Sequence, residues 1–212
     1  MSEDDFKFEP VRGLPEALPE GEHILWQGSP SPRRLAREAL KVRWVFGYFA
    51  LLAVWRVGVS SADYPISEAW MHGIPFVLSG VIACLILYGL AYVQARSAVY
   101  TLTNKRVAMR IGAALTMTLN LPYPQIGTAQ LETKSDGTGT LAFELIGETR
   151  ISYLMSWPHV RPWHVSRTQP ALRCIPDATN VARLFAEAAE TRLSQPQVSR
   201  VEPRGGSAVA AE

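Results

Sequence analysis

Apolar residues gather in two long stretches near the middle of the chain, and the pattern changes period after them. The second stretch, IPFVLSGVIACLILYGLAYV (Ile74–Val93), runs twenty residues without a charge. A helix rising about 1.5 Å per residue needs that length to cross about 30 Å of hydrocarbon. The first, WVFGYFALLAVWRVGVS (Trp44–Ser60), has seventeen residues and one charge, Arg56, near enough to its end to reach outward to headgroups. Trp44 and Trp55 stand toward its two ends, where amphipathic rings prefer to lie. The pattern predicts a hairpin of two transmembrane helices, 44–60 and 74–93, joined by a polar loop, 61–73.

Beyond the second span the period falls to two. In Leu115–Leu121, Leu115, Met117, Leu119 and Leu121 alternate with Thr116, Thr118 and Asn120, the mark of a half-buried strand. Ser97–Thr103, Arg106–Ile111, Ile126–Glu132, Thr140–Ile146 and Arg150–Met155 read as further short strands, with turns at Asn104-Lys105, Gly112-Ala113-Ala114, Ser135–Gly139 and Gly147-Glu148. Six or seven strands in succession predict an antiparallel barrel or sandwich. In Asp177–Leu193 the period returns to helical: Val181, Leu184, Phe185, Ala188 and Ala189 make one apolar stripe, which predicts an amphipathic helix covering the open end of the sheet.

Ahead of the hairpin, residues 1–20 read as a flexible acidic arm broken by Pro10, Gly13, Pro15 and Pro19. Residues 21–43 hold a short strand at Ile24–Trp26, a turn, and a basic helix, Arg33–Arg43, leading into the membrane. That helix is expected to lay Leu35, Ala36, Leu40 and Val42 on the bilayer surface. Residues 97–193 form the β-rich domain, and 194–212 read as a disordered tail.

Charge adds topology. The net charge of +2 is too small to argue for nucleic acid. Arg33, Arg34, Arg37, Lys41 and Arg43 precede the hairpin, and Arg96, Lys105, Arg106 and Arg110 follow it. The loop between the spans carries Asp63 and Glu68 and no Lys or Arg. The positive-inside bias then places both termini in the cytoplasm. The nine basic residues also fit contact with anionic lipid at that face, with Lys105 and Arg106 expected to hold the domain against it.

Chemistry is sparse. Cys84 and Cys174 lie on different elements on a reducing side, so no disulfide is expected, and the four scattered His make no zinc-type cluster. No Gly-x-Ser-x-Gly, phosphate-cradling loop or His-Glu-x-x-His occurs, so no enzyme is expected and no catalytic residue is assigned. Two candidate binding sites stand out. Trp157-Pro158-His159-Val160-Arg161-Pro162-Trp163-His164 packs two Trp, two His and an Arg into eight residues, and its prolines exclude a regular helix or central strand. Trp157, His159, Arg161, Trp163 and His164 either form a contact surface for a partner or the bilayer, or pack beneath the sheet. In the second span, Ser79 and Ala83, and Gly80 and Cys84, stand four apart. These small residues serve either packing against the first span or docking of another helix, including a second copy of this chain.

Several of these segments carry a resemblance. YTLTNKRVAMRIG (Tyr100–Gly112), directly after a two-helix hairpin, resembles the opening of bacterial membrane-linked PH-like domains, as does GEHILWQGSPSP (Gly21–Pro32) before the hairpin. SWPHVRPW (Ser156–Trp163) and RCIPDATNVARLFAEA (Arg173–Ala188) are similar to the PuhB family of photosynthetic complex assembly proteins from purple phototrophic bacteria. The resemblance spans roughly residues 10–193. It implies a PH-like barrel closed by a C-terminal helix, in a non-enzymatic inner-membrane protein. The family's role is assembly of the photosynthetic reaction centre and its light-harvesting 1 ring, which makes reaction-centre subunits the implied partners. The alternative is a PH-like module that binds the membrane surface. The partners of such a protein hold pigment, yet neither span contains a His, and His72 lies just outside the second. No bound pigment or other cofactor is therefore expected.

Overall fold

The computed structural model describes residues 11–113, 115–147 and 151–194. Residues 1–10 of the expected arm, the start of the expected strand Arg150–Met155, and residues 195–212 of the expected tail lie outside them.

β1 (Ile24–Gly28) and α1 (Pro32–Glu38) precede two long helices, α2 (Val42–Ser60) and α4 (Ile74–Ser97). Between these lie the short α3 (Ile66–Ala69) and a 3-10 turn. α2 and α4 pack side by side along a narrow inner stripe that includes Ala53 and Gly80. Both helices are long and apolar enough to cross a membrane, and only 11% of either apolar window is buried. The core helix of a soluble protein would be mostly covered. Here Trp44, Leu51, Val54, Trp55, Leu85 and Ile86 stand out from the protein.

The segment before α2 departs from expectation. The basic helix is broken: α1 ends at Glu38, and Lys41 takes a left-handed conformation (φ 52°) that redirects the chain into α2. Leu35 and Ala36 do not lie on the bilayer surface. They are fully buried in a small cluster with Val42, Ala91, Ala95 and Cys174, so α1 is a wedge joining the end of α4 to the β-domain. The reason is that α4 continues past Val93 to Ser97 and offers the small side chains of Ala91 and Ala95, against which α1 packs closely.

The β-domain comprises two antiparallel sheets, ordered β1-β2-β3-β4 and β5-β6-β7. The first adds β2 (Val99–Thr103), β3 (Arg106–Ile111) and β4 (Met117–Pro122) to β1. β1 pairs with β2 across the whole hairpin, Gln27 opposite Thr101 and Gly28 opposite Tyr100. The domain expected over 97–193 therefore takes in a strand from the far side of α2 and α4. Part of the expected flexible arm is folded as well. Leu14 is buried, and Gly13 (φ 80°) lies so close to Val99 that a Cβ would stand 2.5 Å from its Cγ1. Glycine meets both the left-handed backbone and the close approach.

The second sheet is β5 (Ile126–Thr133), β6 (Gly139–Leu145) and β7 (Ala171–Ile175). β7 was not expected: every one of its residues is buried, so it shows no alternation, and Pro170 and Pro176 give it the look of a loop. The strand expected over Arg150–Met155 is not one. Ser152 is extended and Tyr153–Ser156 forms one helical turn, α5, because β6 already has β5 and β7 on its two edges. Nor is the barrel closed: among the described residues no strand of one sheet pairs with a strand of the other. The two sheets instead share a core, in which Tyr100, Leu102, Val107 and Met109 meet Leu141, Phe143, Leu172 and Ile175. α6 (Ala178–Ser194) covers it with Val181, Phe185 and Ala188 on the expected stripe. The Phe185 ring lies 5.5 Å from Tyr123 and 5.1 Å from Phe143.

Candidate functional site

The tryptophan-rich loop divides into an inner and an outer part. Segment 159–161 adds a short rung beyond β7: Ala171 N donates to His159 O, Arg161 N to Gln169 O, both at 2.9 Å, and Val160 bridges Pro170. Backbone pairing turns His159 inward. Only 1% of it is exposed, and its Nδ1 lies 2.6 Å from the Tyr100 hydroxyl. Arg173 N donates to the same oxygen at 3.4 Å, which leaves the phenol proton for His159 Nδ1 and puts the imidazole proton on Nε2. Arg173 itself is buried, and its Nη1 donates to Pro158 O at 3.2 Å. Burial, and then the Arg173 charge, push the His159 imidazole down to about 3, so it is neutral at physiological pH. Burial likewise pushes the Tyr100 phenol far up. Tyr100 thus ties β2 of the first sheet to β7 of the second. Of the two readings of this loop, contact surface or packing beneath the sheet, His159 takes the second and is a structural group.

The outer part is the opposite. Trp163 is 90% exposed in a left-handed conformation (φ 67°) that bulky residues seldom adopt, and Trp157 is partly exposed. His164 turns back on Pro162 O at 2.9 Å, and Arg161 donates to the side chains of Gln130 and Gln169. Leu154, Met155 and Val165 are also exposed, Leu154 by 86%. Leu154 and Val165 border a groove of about 1030 Å³ with Glu144, Leu145, Ile151 and Arg167. No periodicity marks Leu154 and Met155 as surface residues, because the sequence around them has the pattern of a strand.

The register locates this surface. Ser31 N, at the start of α1, donates to Cys174 O at the far end of β7. Segment 159–161 runs antiparallel to 169–171, so Trp163 and Val165 lie toward the opposite end of β7. Gln169 precedes β7, at the end away from Cys174.

Within the hairpin, the small residues are divided. A Cβ at Gly80 would stand 2.7 Å from the Phe49 Cβ of α2, and Cys84 Sγ lies 3.9 Å from Val42 O. Both therefore serve packing within the chain; Ser79 faces outward and Ala83 is half-buried. Gly80→Leu should drive α2 and α4 apart and destabilise the hairpin by roughly 2 kcal/mol. A lowered unfolding midpoint in detergent would show this, and an unchanged midpoint would contradict the packing.

The basic residues also divide. Arg34 Nε donates to Asp136 Oδ2 at 2.7 Å, pinning α1 to the β5–β6 turn. Thr138, and then Arg34, hold the Asp136 carboxyl low, at about 2. Lys105 and Arg106, expected at the membrane, are engaged by the segment before β1. Lys105 Nζ donates to Glu20 O at 3.0 Å and Arg106 Nε to the enclosed Glu22 at 2.9 Å. Their turn lies at the end of β2 away from α4. Arg110 is back at the near end, opposite Val99. Arg33, Arg37, Lys41 and Arg43 are exposed around α1 and the start of α2, and Arg96 lies over the Tyr92 ring, 5.7 Å from its centre. Among the described residues no group of three or more His, Cys, Asp or Glu could hold a metal ion.

The family model "Bacterial PH domain" matches residues 46–189. An "Uncharacterized 23.7 kDa protein in puhA 5'region" of Rhodobacter capsulatus is 43% identical over 216 residues, covering 99% of each chain. A solved DUF1696 family protein with a pleckstrin-homology domain, from Shewanella loihica PV-4, matches at 15% identity and TM-score 0.29, over 43% of this chain and 71% of that one. With its family match running from α2 into α6, the chain belongs to the bacterial PH domain family.

Proposed function

We propose that this chain is a non-enzymatic assembly factor for the photosynthetic reaction centre and light-harvesting 1 complex, binding nascent subunits transiently. α2 and α4 cross the inner membrane, either cytoplasmic or intracytoplasmic, with both termini and the β-domain on the cytoplasmic side. The observation that carries this reading is the relative identical at 43% over nearly the whole of both chains. It is named for the region 5′ of puhA, a locus whose name the PuhB family shares. The Trp-Pro-His-Val-Arg-Pro-Trp stretch points to that same family. The exposed surface around Trp163, Leu154 and Val165 supports binding of a protein by the domain. It stands toward the end of β7 away from the start of α1, which favours a protein client over the bilayer. Exposed Arg33 and Arg37 support contact with anionic headgroups as a secondary role.

The test is affinity capture of the full chain from membranes of cells induced for phototrophic growth. Reaction-centre subunits, and light-harvesting 1 subunits with them, should co-purify. A Trp157→Ala/Trp163→Ala chain with an unchanged unfolding midpoint should lose the capture tenfold or more, roughly the worth of one buried aromatic anchor. Binding to anionic liposomes with no client subunits captured would favour the membrane-surface module instead.

A further inference from the structure

We infer that the outer face of α2 is a socket for a transmembrane helix of a partner protein; this rests on the membrane anchoring proposed above. The inner face of α2 is used up within the chain, with Phe49 against Gly80 and Val57 against Gly73. On the outer face, Arg43, Trp44, Gly47, Tyr48 and Leu51 wall a hollow of about 430 Å³. Trp44, Gly47, Tyr48 and Leu51 stand at i, i+3, i+4 and i+7, the four positions that ring a hole on a helix and receive a knob from a facing helix. Gly47 leaves a gap in that ring, where a Cβ would meet nothing within 4 Å, so a facing helix can approach closely there. Trp44, Tyr48 and Leu51 are each more than half exposed around it.

In lipid, an apolar face alone does not draw helices together, because acyl chains are equally apolar. Close approach at a small residue and matched packing do. The hollow, with its helical spacing, therefore selects a helix bearing one large aliphatic or aromatic side chain. Charge sets the direction. Arg43 lines one end of the hollow, Lys41 precedes it, and the N-terminus of α2 is the positive end of that helix. The complement is a helix C-terminus or a carboxylate, so the partner helix runs antiparallel to α2. A second copy is a poor occupant. Its α2 would bring Lys41 and Arg43 against their counterparts, and the matching end of its α4 carries Arg96.

The experiment keeps the full chain in its native membranes, with a photo-crosslinking phenylalanine analogue in place of Leu51. Leu85 on α4, equally exposed, serves as the reference position. The expected adduct at position 51 maps to a membrane-spanning segment of another polypeptide whose C-terminal end lies on the cytoplasmic side, and it is not formed from position 85. Gly47→Leu should fill the hollow and cut the yield at least tenfold. Gly89→Leu, which also points into open space, should leave the yield unchanged. Adducts with lipid alone, with a second copy of this chain, or insensitive to Gly47→Leu would overturn the socket, as would no adduct. Alkaline carbonate extraction separates the two proposals. A chain stripped from the membrane defeats the anchoring itself, whereas a retained chain without the adduct defeats only the socket.

Discussion

A β-domain cut out as residues 97–193 should fail to fold, whereas the same residues joined to 11–30 should fold. β2 is a central strand only because β1 covers its edge, and Leu25 and Trp26 of β1 pack on the core. Cutting away the segment before residue 97 also removes the enclosed Glu22, which accepts from Thr103 Oγ1 and Arg106 Nε. Burial of side chains such as Leu25 and Trp26 is worth about 1.5–3 kcal/mol each when complete. Together with the lost ladder the deficit is on the order of 5 kcal/mol, comparable to the whole stability of a domain this size. The repair is geometrically simple. Ser29 Oγ donates to Ala98 O at 2.8 Å, so the two cut ends lie side by side and a short Gly/Ser linker can replace residues 31–96. Amide NMR spectra and denaturant curves of the two fragments decide the matter. A dispersed spectrum and a cooperative transition from the bare 97–193 fragment would refute the requirement for β1.

Acidification should destabilise the domain through His159 well before its carboxylates are protonated. The folded imidazole takes up a proton only near 3, against 6.5 when unfolded. Between those values the unfolded chain holds the extra proton, so stability rises with pH across that window and falls as the pH drops through it. The slope approaches about 1.4 kcal/mol per pH unit, or roughly 2–3 kcal/mol between pH 6.5 and 4.5. His159→Gln cannot take up the proton and should flatten the dependence, at the cost of a lower midpoint at pH 7 from a less well-filled site beside Tyr100. The measurement is the unfolding midpoint in detergent at several pH values for both chains. Equal slopes would mean that His159 is not held neutral inside the fold.

The elements visible in the sequence were those specified by their own neighbours. Two apolar runs of helical length, the alternation of Met117, Leu119 and Leu121, and the stripe of Val181, Phe185 and Ala188 each state a local period, and the helices and strands stand there. β7 and α5 escaped because neither carries such a period: one is buried throughout, and the other exposes Leu154 and Met155 against the apolar rule. The candidate loop was found by composition, but composition does not distinguish an inward His159 from an outward Trp163.

The residues of this chain settle by themselves that there is an apolar hairpin, that a strand-rich module follows it, and that an amphipathic helix ends it, because period and length act over a few turns. Only the tertiary structure decides that Gln27 pairs with Thr101, that Leu35 and Ala36 wedge against α4, and that Gly80 is spent inside the hairpin while Gly47 is left open. Those outcomes depend on which surfaces meet across tens of residues. Shape and hydrogen-bond register settle such meetings, and neither leaves a local period in the sequence.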